Sequence, residues 1–147
     1  MKMAVKIRTA KNHDAKKIFQ FLCEKEEKLF DKELFENNYR TCIGDPDNVY
    51  LVAAGENNEP LGFISAHGGI ELHEEGMVYQ IQEFFVEKKC RKGGVGRLLL
   101  KELDALLVKK ECRLISVSIS NYNSRTINFF IKNGFAHSHV ALKKRNT

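Results

Sequence analysis

A chain of 147 residues has room for one domain of ordinary size and little more. Its hydrophobic share of 43% excludes a disordered polypeptide, and no apolar run approaches the roughly 20 residues that a membrane-spanning helix needs. Twenty-four Lys and Arg against 19 Asp and Glu leave a net charge of +5, which suits an anionic ligand with several phosphates and equally a plain solvated surface.

Cys23, Cys42, Cys90 and Cys112 are scattered, with no C-x-x-C pair among them. That pattern reads as free thiols in a reducing compartment, without zinc-site spacing. The start of the chain carries neither a long apolar run nor a small-residue cleavage site. These features predict a cytoplasmic protein.

In chain order, Val5–Thr9 reads as a short first strand. Asn12 is positioned to cap a helix carrying Ile18, Phe19, Phe21 and Leu22, and Glu24–Lys28 reads as its solvated end. Asp31 is positioned to cap a second helix with Leu34, Phe35 and Tyr39. Asp45-Pro46-Asp47-Asn48 is a turn. Val49–Ala54 and Leu61–Ala66 are strands joined by a hairpin at Glu56-Asn57-Asn58-Glu59, and Gly68-Gly69 loosens the next connection. Met77–Val86 is a long strand. Leucines at 98, 99, 103, 106 and 107 place a helix from Gly94 to about Lys109. Leu114–Ser118 is a strand, and Ser124–Lys132 is a helix ended by Asn133-Gly134. Phe135–Ala136 and Val140–Leu142 close the chain as short strands. The order β-α-α-β-β-β-α-β-α-β predicts an α/β (α+β) fold in one domain over residues 1–147. Its sheet is mixed, mostly antiparallel and flanked by helices.

From Gln80 to Leu100 a strand runs into a short basic, glycine-rich loop that opens an apolar-striped helix. The first turn of a helix presents unpaired N–H groups and the positive end of its dipole, so this is a place for an anion. Gly93, Gly94 and Gly96 let the backbone approach a pyrophosphate, and Arg91, Lys92 and Arg97 add charge at the same end. The segment contains neither G-x-x-x-x-G-K-[ST] nor G-x-G-x-x-G, so it is not a P-loop or a dinucleotide fingerprint. A plain glycine-rich turn is the other reading.

Arg91-x-x-Gly94-x-Gly96 resembles the Q/R-x-x-G-x-G/A motif of the GNAT N-acetyltransferases. The stretch from Asn123 to Phe135 resembles that family's second motif, N-x-x-A-x-x-F-Y-x-x-x-G-F, and Ile7-Arg8-Thr9-Ala10 with Asp14 resembles its start. The likeness covers nearly the whole chain and implies a GNAT fold with acetyl-CoA as cosubstrate. It assigns the loop Arg91, Lys92, Gly93, Gly94, Val95, Gly96 and Arg97 to the pyrophosphate. The preceding strand, at Phe84, Phe85 and Val86, would hold pantetheine through its backbone, with amides around Phe85 and Val86 as oxyanion donors. Asn123, Thr126, Phe129 and Phe130 follow as further cofactor contacts. Asn123 serves equally as the N-cap of its helix, and both can hold. Phe30-Asp31, Asp45-Pro46, Tyr50, His67, Leu72-His73, Ile81-Gln82-Glu83 and Ser138-His139 together are similar to the aminoalkylphosphonate N-acetyltransferases.

The resemblance implies acetyl transfer to an amine, which needs a base, an oxyanion donor and a leaving thiolate. Glu83 is the expected base, on the strand just before the cofactor segment, where many members carry a carboxylate. Strict alternation puts Ile81, Glu83 and Phe85 on one face, and a bulge, usual in this family here, breaks that pattern. A structural or solvated glutamate is the alternative. His67 is placed to assist from the neighbouring strand; a satisfied structural histidine is the bland reading. Phe130 stands where many members have the tyrosine that protonates the thiolate, and phenylalanine has no proton to give, so water or Tyr122 takes that role. His73, Glu74 and Glu75 have no recognised ligand spacing, so no metal is expected. The partners implied are acetyl-CoA and a small-molecule amine, with no membrane. No helix-turn-helix or aromatic-interleaved basic stripe points to nucleic acid. A homodimer stays open. So do two rival functions, a protein lysine or N-terminal acetyltransferase and a non-catalytic CoA-binding module.

Overall fold

The computed structural model describes residues 4–119 and 123–146. It contains β1 (Lys6–Thr9), α1 (Ala15–Glu26), α2 (Lys32–Gly44), β2 (Val49–Ala54), β3 (Pro60–Glu71), β4 (Gly76–Val86), α3 (Val95–Lys109), β5 (Leu114–Val117) and α4 (Ser124–Lys132). The five strands form one sheet in the order β1-β2-β3-β4-β5, and the pairs β1–β2, β2–β3 and β3–β4 are antiparallel. This is the expected mixed α/β class. The described chain divides into two compact units, one ending at Ser116 and the other starting at Val117.

In the first unit, the sheet is buried on two sides, which is why all six residues of β2, Val-Tyr-Leu-Val-Ala-Ala, are apolar and buried. Tyr50, Val52, Ala54, Phe63 and Phe85 join Ile18 and Phe21 of α1 and Tyr39 of α2 in one core cluster. Within it, Phe21 stacks on Phe85 with ring centroids 4.4 Å apart, a contact worth about 0.5–1.5 kcal/mol beyond its buried area. The opposite side is closed by α3, whose Val95, Leu99, Leu100, Leu103 and Leu107 are buried. Gly62 makes room there, because a Cβ would sit 3.1 Å from Leu99 and 3.2 Å from Val95.

Asp31 caps α2 as expected, its Oδ1 accepting the Leu34 N–H at 2.9 Å. The hairpin after β2 turns at Asn58, which takes a left-handed conformation (φ 62°), with Gly55 N–H bonded to Glu59 O. The start of α1 differs from expectation. Asn12 opens a 3-10 turn, and the helix proper begins at Ala15. Asp14 organises that corner instead: its carboxylate accepts the Lys11 N–H at 2.8 Å and a forked pair from Arg8 at 2.7 and 2.9 Å. Two hydrogen bonds to a guanidinium outcompete a neutral cap.

Two strand assignments also change. β3 does not end at Ala66 but continues through Gly68-Gly69 to Glu71, paired with β4 the whole way. Gly68 permits this, since a Cβ there would stand 2.6 Å from the Tyr79 ring and 2.8 Å from Asp47 O. The closing strands at Phe135–Ala136 and Val140–Leu142 are not formed; residues 135–146 carry no regular element. Phe135 N–H is taken by Phe130 O at the end of α4, and Val140 and Leu142 are 87% and 92% exposed, without the half-buried face a strand requires. No helix among the described residues is long and apolar enough to cross a membrane.

Burial by itself would raise the Asp14 carboxyl, but the hydrogen bonds from Arg8 and from the Lys11 amide outweigh it and hold the group below its usual range. A depressed folded-state pKa stabilises above the unfolded value, near 4, and that contribution is lost as pH falls through the folded value. Asp14→Asn is therefore expected to destabilise the protein by about 2 kcal/mol at pH 7. In urea unfolding, its gap from the parent should narrow below about pH 4. A gap independent of pH would remove the Arg8–Asp14 pair from this role.

Candidate active site

Residues 81 to 86 of β4 run beside β3 with one irregularity. Ser65 faces Glu83 and Ala66 faces Ile81, so two steps on β4 match one step on β3, and Gln82 is the extra residue of a β-bulge. The bulge breaks the strict alternation of the sequence. Glu83 and Phe85 lie opposite Ser65 and Phe63, on the face covered by α1 and α2, together with Gln80 opposite His67. Ile81 and Tyr79, opposite Ala66 and Gly68, fall on the other face.

Four polar side chains meet around Glu83. The Ser65 hydroxyl donates to Glu83 Oε1 at 2.5 Å, and the same Oγ accepts the Glu83 N–H at 3.1 Å. Ser65 is fully buried. Two residues along β3, His67 Nε2 lies 2.6 Å from the Tyr50 hydroxyl, and the rings are 5.6 Å apart. Burial, a contact with Cys42 and the charge of Glu83 push the Tyr50 phenol above its usual range, so it keeps its proton. Beside this cluster runs a groove of about 330 Å³ lined by His67, Gly68, Tyr79, Gln80, Gln82 and Ser116, among others. Glu83 follows Gln82 in the chain but is not part of the groove wall.

The backbone of β4 sets the other half. Glu87 N–H bonds Leu61 O, and in an antiparallel ladder the bonded pairs alternate, which turns the Phe85 N–H toward β3 and the N–H and C=O of Phe84 and Val86 away from it. The four residues of β5 cannot cover the eleven of β4. Two cations reach the outward carbonyls: Lys25 of α1 donates to Phe84 O at 3.1 Å, and Arg91 Nε donates to Val86 O at 2.9 Å. The first is not legible in the sequence, because the Glu24–Lys28 run reads as a solvated helix end. The second shows Arg91 folded back on the strand, with its guanidinium 5.7 Å from the Phe85 ring centroid. Lys92 and Arg97 remain exposed.

The strand leaves through a 3-10 turn at Lys88–Gly93 and enters α3 at Val95. Gly94 joins the two at φ 80°, a left-handed conformation that side chains other than glycine resist. Val95 is buried against the core and anchors the first turn of α3, leaving Gly93 and Gly94 exposed at the helix N-terminus.

A profile of the acetyltransferase (GNAT) family matches residues 14–135. The chain belongs to the GNAT acetyltransferases. It is 27% identical over 140 residues to an aminoalkylphosphonate N-acetyltransferase of Salmonella typhimurium, a match covering 94% of this chain and 89% of that protein. Three solved structures share its fold at lower identity. A transcriptional regulator from Bacillus halodurans superposes with a TM-score of 0.89 at 20% identity, covering 97% of this chain and 100% of the other. For the aminoglycoside antibiotic 6'-N-acetyltransferase from Acinetobacter baumannii the values are 0.80, 14%, 98% and 99%. For the glucosamine-6-phosphate N-acetyltransferase from Arabidopsis thaliana they are 0.80, 18%, 97% and 98%.

In this acetyltransferase the second motif forms α4, in the second unit. Asn123 Oδ1 accepts the Thr126 N–H at 3.2 Å, so the N-cap reading of Asn123 holds. Phe130 is buried, its ring 5.3 Å from Phe129 and 5.1 Å from Phe135. Tyr122, the expected alternative proton source, lies outside the described residues. His73 Nε2 pairs with Glu71 Oε1 at 3.3 Å in an exposed turn.

The loop generates a stability contrast. Neither Gly93 nor Gly94 has anything within 4 Å of an added Cβ, and only Gly94 has a positive φ. Gly94→Ala is expected to destabilise by about 1–2 kcal/mol, and Gly93→Ala by less than about 0.5 kcal/mol. Equal urea midpoints for the two variants would show that the turn does not depend on the left-handed residue.

Proposed function

We propose that this single acetyltransferase domain moves the acetyl group of acetyl-CoA directly to a primary amine, with Glu83 as the base. The observation that carries the reading is the Glu83 carboxylate, fixed by Ser65 on the strand whose neighbouring backbone groups, at Phe84 and Val86, turn outward from the ladder. Pantetheine would extend along those groups, and the Val86 N–H would stabilise the oxyanion. The pyrophosphate would rest on the Gly94–Gly96 turn with Lys92 and Arg97. Asn123, Thr126, Phe129 and Phe130 join the cofactor by motif resemblance alone.

The chemistry then balances in one addition and one elimination. Glu83 takes the proton of the acceptor ammonium. The amine nitrogen attacks the thioester carbonyl carbon, the C–N bond forms, and charge collects on the oxygen. The C–S bond breaks, and the thiolate leaves with a proton that Tyr122 or water supplies, since Phe130 has none. The nitrogen gives up its second proton to solvent. His67 assists at the groove edge.

The acceptor proposed is a small amine with an acidic group, such as an aminoalkylphosphonate. The name of the Salmonella relative and the net charge of +5 support this choice. A protein amine is the second reading, for which the groove beside His67 would be the place for an extended chain.

One set of assays tests both levels. Acetyl-CoA should raise the melting temperature of the parent and of Glu83→Gln alike. That variant should lose about 10²–10⁴-fold in kcat/KM. Aminomethylphosphonate should be acetylated with higher kcat/KM than ethanolamine or a lysine peptide, because losing the acid leaves polar groups of the site unpaired. An active Glu83→Gln removes the base. A lysine peptide ahead by about tenfold, roughly 1.4 kcal/mol in barrier, makes the enzyme a protein acetyltransferase.

A further inference from the structure

Ser65 is the one polar residue in the buried part of β3, the stretch from Pro60 to Ala66. A buried hydroxyl needs partners, and Glu83 supplies two of them: the carboxylate oxygen Oε1 and the backbone N–H at the bulge. A serine oxygen has one proton to donate and can accept twice, so the two bonds close a ring through the Glu83 side chain. That ring fixes the carboxylate on the same residue whose register the bulge sets. Around it stand Tyr50 of β2, His67 of β3 and Cys42 of α2, with the Lys25 ammonium of α1 at the next carbonyl along β4. The serine therefore holds the carboxylate in place through one of its two oxygens.

We propose that Ser65 is the positioning residue of this acetyltransferase. Its hydroxyl holds Glu83 Oε1, so that Oε2 is aimed at the acceptor amine, and its oxygen pins the Glu83 N–H so that the bulge keeps the carboxylate on the face of α1 and α2. The assignment rests on the reading of Glu83 as the base. Buried beneath the carboxylate, Ser65 acts on the reaction through Glu83. A carboxylate released from this hold swings over more than one rotamer, and a misplacement of about 1 Å can lower turnover by roughly 10²-fold.

A double-mutant cycle with steady-state kinetics tests it, using aminomethylphosphonate and acetyl-CoA. Ser65→Ala is expected to lower kcat about 10–100-fold with acceptor KM changed less than about threefold. Ser65→Thr keeps the hydroxyl and should restore kcat to within about threefold of the parent. In the Glu83→Gln background, adding Ser65→Ala should change kcat less than about twofold, because the residue it acts through is gone. Each variant is first checked for the acetyl-CoA melting shift. If Ser65→Ala does not melt cooperatively, Ser65→Cys, of similar size but a weak donor, replaces it with the same expectation. Three outcomes overturn the proposal: parental kcat in Ser65→Ala, no recovery in a folded Ser65→Thr, or effects of Ser65→Ala and Glu83→Gln that multiply. A fully active Glu83→Gln instead defeats the base assignment itself and takes the proposal with it.

Discussion

A carboxylate set in a sheet that is packed on both sides needs a partner, and the rest of the site follows from how Glu83 obtains one. Its partner is the buried Ser65 hydroxyl directly across the ladder, 2.5 Å from Oε1. The pairing exists because Gln82 is an extra residue. Without the bulge, one face would hold Tyr79, Ile81, Glu83 and Phe85 together. With it, the two apolar rings of that set separate: Tyr79 goes to the face that Gly68 opens, and Phe85 stacks on Phe21 beneath α1. The apolar residues on either side of Glu83 thus commit the strand to one register, and the carboxylate is carried to the α1–α2 face with them.

The same stretch of β4 links the carboxylate to the glycine loop. Phe84 and Val86 turn their backbone groups away from β3, and side chains from α1 and the loop, Lys25 and Arg91, fasten to their carbonyls. Immediately after, the left-handed Gly94 redirects the chain into α3, and buried Val95 fixes where that helix begins. The Glu83 carboxylate, the backbone edge and the helix N-terminus therefore come from one short stretch of chain, Glu83 to Gly96, held by packing on both faces of one sheet.

What the sequence revealed was what short-range chemistry decides. The Asp31 and Asn123 caps and the helix over α3 depend on neighbours within a turn of helix, and each appears where expected, although Leu98 of the predicted stripe is exposed and Leu100 is buried instead. The misses depend on partners far along the chain. Gly68-Gly69 looks like a break until Tyr79 is seen to need the space. Ser65 looks like one hydroxyl in an apolar strand, and nothing local shows that the residue opposite is Glu83. Asn12 looks like a cap, but the carboxylate two residues on has a guanidinium from β1 within reach. A polar residue inside an otherwise apolar run was the available signal for Ser65.

The claim that organises all of this is that the acceptor amine meets Glu83 on the α1–α2 face of the sheet. A crystal structure of the protein with CoA and aminomethylphosphonate tests it most directly, through the distance from the amine nitrogen to Glu83. That nitrogen is expected within about 3.2 Å of Glu83 Oε2, or one water away, with Ser65 still on Oε1. An amine bound on the opposite face, beside Ile81 and Tyr79, with Glu83 turned away from it, would contradict the account.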